Sequence, residues 1–181
     1  MEYIDFKRIE RVVKFDKGIF KEIRDDKNAM PGAVVVLLLA SIIGSIWSIL
    51  ASFGLALIGV VIFTPIGWFI GTGILHIIAK LFGGKSTFEG YLKVTAYAEA
   101  PTALGVIPLI GTFVGGIWSL IILIAATRDA HELSTGKAVL VVLIPAIIVA
   151  IIIILLIALL IPFSAMGPYG PGPYNYNYGG Y

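Results

Sequence analysis

Residues 28–79 read NAMPGAVVVLLLASIIGSIWSILASFGLALIGVVIFTPIGWFIGTGILHIIA, and no Asp, Glu, Lys or Arg occurs anywhere in that stretch. A helix at the surface of a soluble domain carries charge on the face it shows to water. An apolar run this long has the lipid bilayer as its ordinary solvent. The same pattern recurs further along the chain. Between Lys93 and Arg128 the single charged side chain is Glu99, and none occurs from Ala138 to Tyr181. The mean hydropathy is +0.99. Hydrophobic residues make up 59% and charged residues 13%, against roughly a quarter charged in soluble domains. The fold class that follows is all-α: a polytopic membrane protein built as a bundle of transmembrane helices.

About 20 residues of helix cross a hydrocarbon core of about 30 Å, so residues 28–79 fit two crossings. These are placed at 32–51 and 55–79, with the turn at Ser52-Phe53-Gly54. A third, over 87–104, is opened by Ser86 and Glu89 at the spacing of a capping box, with Lys93 snorkelling toward its end. The chain breaks over 105–111 and returns as a fourth crossing, 112–127. The fifth, 138–161, is interrupted only by Pro145, and Ser134 or Thr135 is expected to cap it. With five crossings, all 13 Lys and Arg fall on the N-terminal side. The positive-inside rule then puts the N-terminus in the cytoplasm and the C-terminus outside or in a lumen. The expected localisation is an integral, multi-pass membrane protein, in the cell membrane if the chain is prokaryotic.

Residues 1–30 form a charged juxtamembrane segment that does not read as a cleavable signal peptide. Ile19, Phe20 and Ile23 share one helical face, and Ile9, Val12 and Val13 another. The pattern predicts an amphipathic helix in the cytoplasmic interface, with its apolar groups in acyl chains. A protein partner docking through residues 1–28 is the other reading. Residues 31–163 form the transmembrane domain, and the Gly/Pro/Tyr-rich residues 164–181 a disordered tail. The net charge of +2 and the absence of a basic stripe argue against nucleic acid as a partner.

Several short motifs resemble the Yip-one domain family, in its short prokaryotic branch. They are Gly83-Gly84-Lys85-Ser86-Thr87-Phe88-Glu89, Ala96-Tyr97-Ala98-Glu99-Ala100-Pro101, Trp118-Ser119-Leu120 and the run from Thr127 to Ala138, with Phe20-Lys21-Glu22-Ile23 upstream. The likeness covers roughly Lys14 to Pro162. It implies five spans, a cytosolic N-terminus and an external or lumenal C-terminus. Eukaryotic members associate with Rab-type GTPases in membrane traffic. This sequence lacks their long cytosolic N-terminal region and their Asp-Leu-Tyr-Gly-Pro motif, so the resemblance carries the fold and leaves GTPase binding doubtful.

The first candidate site is Glu99. An ionisable side chain at membrane depth costs about 2.5–3.5 kcal/mol on insertion scales and marks a functional site by default. Pro101 frees a carbonyl one turn back. An antiparallel hairpin about Gly84 would bring Thr72 beside Glu99 and His76 toward Lys93, with Thr72 or Tyr97 bonded to the carboxyl group. A packed structural glutamate is the competing reading. The second candidate is the cytoplasmic loop Arg128-Asp129-Ala130-His131-Glu132. Its spacing matches no zinc pattern, and a solvated helix end with locally paired charges is the simpler reading. Gly67 and Gly71, and Gly111 and Gly115, stand four apart, suited to close helix packing or to a homo-oligomer.

With no Cys, no Ser/His/Asp set, no paired carboxylates and no phosphate loop, no enzyme activity, cofactor or metal centre is expected. The leading function is a non-enzymatic membrane-organising or adaptor role through lipid or protein contacts. The alternative is a small oligomeric transporter or channel using Glu99.

Overall fold

A computed structural model describes the backbone of residues 5–165 and the side chains of residues 5–159. The expected tail, 164–181, lies almost wholly outside the described residues. All the regular structure described is helical. The helices are α1 (Phe6–Val13), α2 (Ile19–Asp25), α3 (Ala29–Gly44), α4 (Ile46–Ala51), α5 (Leu55–Leu81), α6 (Phe88–Ala98), α7 (Ile110–His131) and α8 (Thr135–Ala165), with a 3₁₀ segment, Ala100–Val106, between α6 and α7.

Three helices are long and apolar enough to cross a membrane: α5, α7 and α8. Counting α2 and α3 as one broken span, bent by 120°, makes four. The sequence predicts five crossings, and the differences are local. The first expected span breaks at Ser45 into α3 and α4. The fourth extends to His131, and the fifth starts at Thr135. The third differs most. Its α-helical part is only the 11 residues of α6, because the backbone tightens at Glu99 and Pro101 has no N–H to continue the ladder. There the Glu99 N–H bonds the Ala96 carbonyl and the Thr102 N–H bonds the Glu99 carbonyl at 2.9 Å, both three residues back. The cap also moves: Thr87 rather than Ser86 is the N-cap, its hydroxyl accepting from the Gly90 N–H at 3.1 Å, and Glu89 turns toward Lys93 instead.

Every residue of α6 from Gly90 to Ala98 is buried. The helices around it meet it with small residues. On α3 the buried stripe is Ala29, Gly32, Ala33, Val36, Leu37 and Ala40. On α7 it is Gly111, Gly115, Ser119, Ile122, Ala126 and Ala130. Both stripes follow the three-and-four spacing of one helix face. The 3₁₀ segment is held by backbone contact. A Cβ at Gly105 would lie 2.5 Å from the Gly44 carbonyl oxygen, and one at Gly115 would lie 2.6 Å from the Pro101 carbonyl oxygen. Gly111 presses in the same way on the Leu104 carbonyl.

The N-terminal helices correct the expectation of an interfacial helix dipping into acyl chains. Val12, Ile19, Phe20 and Ile23 are fully buried in one protein core with Tyr91, Val94, Tyr97, Ala126 and Ala130. Their apolar face rests on α6 and α7, not on lipid. Polar bonds fasten the same helices. Lys93 is 3% exposed; it does not snorkel to the surface. Its Nζ donates to the Asp26 carbonyl oxygen at 2.8 Å, at the end of α2. Asp26 Oδ1 accepts the Asn28 N–H at 2.8 Å, and its Oδ2 pairs with Arg8 at 3.0 Å. Arg24 donates to the Ala130 carbonyl and pairs with Glu132, which also pairs with Lys85 at 3.2 Å. The loops at Gly83–Thr87 and Glu132–Ser134 are therefore tied to α2 through Arg24.

By contrast, α5 buries only Thr72 and Ala79 fully. It shows Phe63, Ile66, Phe69, Ile70, Ile74 and Ile77 outward, as a lipid-facing helix does. Residues 144–165 belong to a second unit, whose described side chains are mostly exposed and apolar.

Two predictions follow from this packing. Gly115→Val or Gly105→Val should cost at least about 1–3 kcal/mol by overpacking, while Gly67→Ala and Gly71→Ala, where a Cβ meets nothing within 4 Å, should be neutral or raise stability by up to about 1 kcal/mol; unfolding midpoints in detergent measure both. The second concerns acid. The Asn28 amide and the Arg8 guanidinium hold the Asp26 carboxyl below the ordinary carboxylate range, and Lys85 with Arg24 does the same for Glu132. Depressed carboxylates stabilise the fold fully above their unfolded values and lose that contribution as pH falls through the folded ones. Amide exchange in α1 and α2, corrected for its intrinsic pH dependence, should therefore rise below about pH 4 before that of α7, and Asp26→Asn should show the loosening at neutral pH.

Candidate functional site

Glu99 caps the C-terminal end of α6, and its side chain is partly exposed within the bundle. It lines two crevices that share Ser41 and Thr64. One, of about 310 Å³, is lined by Gly67, Gly71 and Thr72 of α5 and Thr95 of α6. The second, of about 330 Å³, is lined by Ser45, Thr102, Thr112 and the glycines Gly44, Gly105 and Gly116. Hydroxyls from α3, α5, α6, the 3₁₀ segment and α7 thus surround one carboxyl group. Among the described residues no side chain hydrogen-bonds that carboxyl.

The expected partners point elsewhere. Thr72 Oγ1 lies 2.9 Å from Thr95 Oγ1. Trp68 Nε1 donates to the same Thr95 hydroxyl at 3.0 Å, so Thr72 joins α5 to α6 rather than reaching Glu99. Tyr97 is buried and faces the Arg8 guanidinium of α1. Pro101 is buried under Gly115 in the 3₁₀ segment. His76 packs against Phe88, Tyr91 and His131, its ring centroid 5.1 Å from that of His131. Gly67 and Gly71 contact no neighbour and leave room for the crevice, whereas Gly111 and Gly115 receive the 3₁₀ backbone.

The second candidate group does not assemble as one site. Arg128, Asp129 and His131 belong to the last turn and a half of α7, and Glu132 caps it in a left-handed conformation at φ 55°. Arg128 Nε pairs with Asp129 at 2.7 Å. Glu132 reaches Arg24 and Lys85. His131 turns inward, 0% exposed, and its ring packs edge-on to Tyr91 at 4.6 Å. A solvated helix end therefore describes Glu132 but not His131. The absence of a side chain at Gly84 makes room for that ring: a Cβ there would lie 2.5 Å from His131 Nδ1. Both ring nitrogens of His131 and Nδ1 of His76 lack a hydrogen-bond partner. Among the described residues no three His, Asp or Glu side chains gather as a metal would need.

The hydroxyls of Ser41, Thr64, Thr102 and Thr112 escaped the sequence reading. Their signal was present: each is a Ser or Thr in an otherwise apolar run, and such residues in lipid-facing helices turn toward protein or water.

No curated protein and no solved structure gives a significant match to the chain. The family comparison does: the Yip1 domain model matches residues 15–163, which takes in α2 to α7 and most of α8. That family is one of non-enzymatic membrane proteins. Its match over most of the chain agrees with the apolar helices, and this multi-pass integral membrane protein belongs to the Yip1 domain family.

Proposed function

We propose that this chain is a non-enzymatic membrane-organising protein that works by holding a lipid polar group in the crevice around Glu99. The observation that carries the reading is a carboxyl group in a hydroxyl-lined crevice with no protein partner among the described residues. A carboxylate among hydroxyl acceptors suits a donor: an ammonium-bearing headgroup meets it with charge-assisted hydrogen bonds. An acid at membrane depth retained without a protein partner costs stability, and a ligand that satisfies it offsets that cost.

The topology that accompanies this reading has five crossings and a cytoplasmic N-terminus. Its doubtful member is supported by length. The 11 residues of α6 and seven of the 3₁₀ segment rise about 30 Å together, enough for a hydrocarbon core, and their enclosure by protein removes the need for a long apolar sequence. On this reading residues 1–30 are the cytoplasmic segment and 31–163 the membrane domain. A protein partner at residues 1–28 would use the outer charged face of α1 and α2, since the apolar face is already covered.

Two measurements test these points. Native mass spectrometry of the protein from membranes should find phosphatidylethanolamine retained. Glu99→Gln should lower that retention about tenfold, the loss expected of a charge-assisted bond; unchanged retention, or a Glu99-dependent ion flux in proteoliposomes, would overturn the lipid-holding role. For topology, the chain has no cysteine, so Lys7→Cys and Asn175→Cys provide single labelling sites. An impermeant maleimide should reach them from opposite sides of the membrane, and labelling from the same side excludes five crossings.

A further inference from the structure

A cleft of about 600 Å³ lies between the α1–α2 turn and α7, within the range of about 300–1,000 Å³ usual for ligand sites. Its lining divides by chemistry. Lys17, Lys21 and Arg128 supply positive charge, while Phe15, Ile121 and Ile124 supply an apolar wall. One carboxylate, Asp129, also lines it and is paired with Arg128. The nearby acids are engaged as well: Asp16 with Arg11 at 2.6 Å, and Asp25 and Glu132 with Arg24. Lys17 and Lys21 are exposed and form no ion pair among the described residues.

The cleft is shaped by the fold and is not a chance gathering of surface lysines. Phe15 adopts φ 57° and Gly18 φ 87°, which reverses the chain tightly between α1 and α2 and projects Lys17 and Lys21 over α7. The turn is fixed from below. Trp118 Nε1 donates to the Val13 carbonyl oxygen at 3.2 Å, and its ring lies 6.2 Å from that of Phe15. Along α7 the apolar wall continues through Ile121 to exposed Ile117 and Val114, the surface that faces lipid in an integral membrane protein. Cations at the mouth and an apolar strip leading into the bilayer match one molecule end to end.

We infer that this cleft binds an anionic phospholipid, its phosphate on Lys17, Lys21 and Arg128 and an acyl chain along Ile121 and Ile124. Basic recesses beside transmembrane helices bind acidic headgroups in this way, with each lysine near the surface contributing independently. The site lies apart from the Glu99 crevice and takes a lipid of opposite headgroup charge, so it does not rest on the proposal above.

The test is lipid binding to the full chain in nanodiscs, with phosphatidylglycerol and phosphatidylcholine in competition. The wild type should prefer phosphatidylglycerol, and Lys17→Gln/Lys21→Gln should lose about 20–30-fold of that preference. Glu99→Gln should keep it. The control Lys7→Gln/Lys27→Gln removes the same charge from exposed positions outside the cleft and should keep most of it. Equal losses in the two double variants would mean that net charge alone attracts the lipid, and the site would be refuted. Equal binding of the two lipids by the wild type, or displacement of phosphatidylglycerol by millimolar inorganic phosphate, would refute it too.

Discussion

The enclosure of α6 is the constraint on which the rest of the structure depends. This helix carries Lys93 and ends at Glu99, and charged groups at membrane depth cannot face hydrocarbon without a cost of several kcal/mol. Protein must therefore surround it. The small residues of α3 and α7 let those helices close on two sides, and α5 closes another through Trp68 and Thr72. What remains is the end near Lys93, and there the carbonyl of Asp26, the C-cap of α2, accepts the Lys93 ammonium at 2.8 Å beside a longer bond of 3.4 Å from the Ala29 N–H. The shorter of the two bonds is the one to the buried ammonium. A charged N-terminal segment that hydropathy alone leaves outside the bundle is thereby drawn into its core.

The sequence was most legible where lipid is the neighbour. For α5, α7 and α8 hydrophobicity alone suffices, because hydrocarbon demands apolar side chains all round a helix; the turn at Ser52-Phe53-Gly54 also falls where expected, with Phe53 98% exposed. It was least legible where protein replaces lipid. An amphipathic pattern at Ile19, Phe20 and Ile23 fits an acyl-chain boundary and a protein groove equally well, and nothing local distinguishes them. His131 lies among Arg128, Asp129 and Glu132 and so reads as solvated. Yet it sits one turn, four residues, beyond buried Thr127 and beside buried Ala130, on the protein-facing side of α7. The period of the helix, not the charge of the neighbours, decides its burial.

The glycine pairs make the same point about candidate sites. Gly67–Gly71 and Gly111–Gly115 have identical spacing, but the second pair receives the 3₁₀ backbone and the first borders empty space. Spacing says that a close approach is allowed; only the partner decides whether it happens. The 3₁₀ segment is that partner, and it exists because the chain tightens at Glu99 before Pro101. One backbone feature thus fills the groove of Gly111 and Gly115 and places the Glu99 side chain in the crevice.

The polar features of this molecule are therefore arranged by depth along α6 and α7. Near the charged end, Lys17, Lys21 and Arg128 rim a cleft open to the α7 lipid surface. Further along, the hydroxyls and Glu99 form the crevice. The two are linked through the shared core of α2, α6 and α7 and through two polar bonds: α6 joins α7 through the Tyr91 hydroxyl, 2.7 Å from Thr127 Oγ1, and joins α2 through Lys93. A ligand that shifts α2 at the cleft pulls on Lys93, six residues from Glu99 on the same helix. The burial of α6 from Gly90 to Ala98 in a close-packed core favours a rigid response to that pull over local yielding.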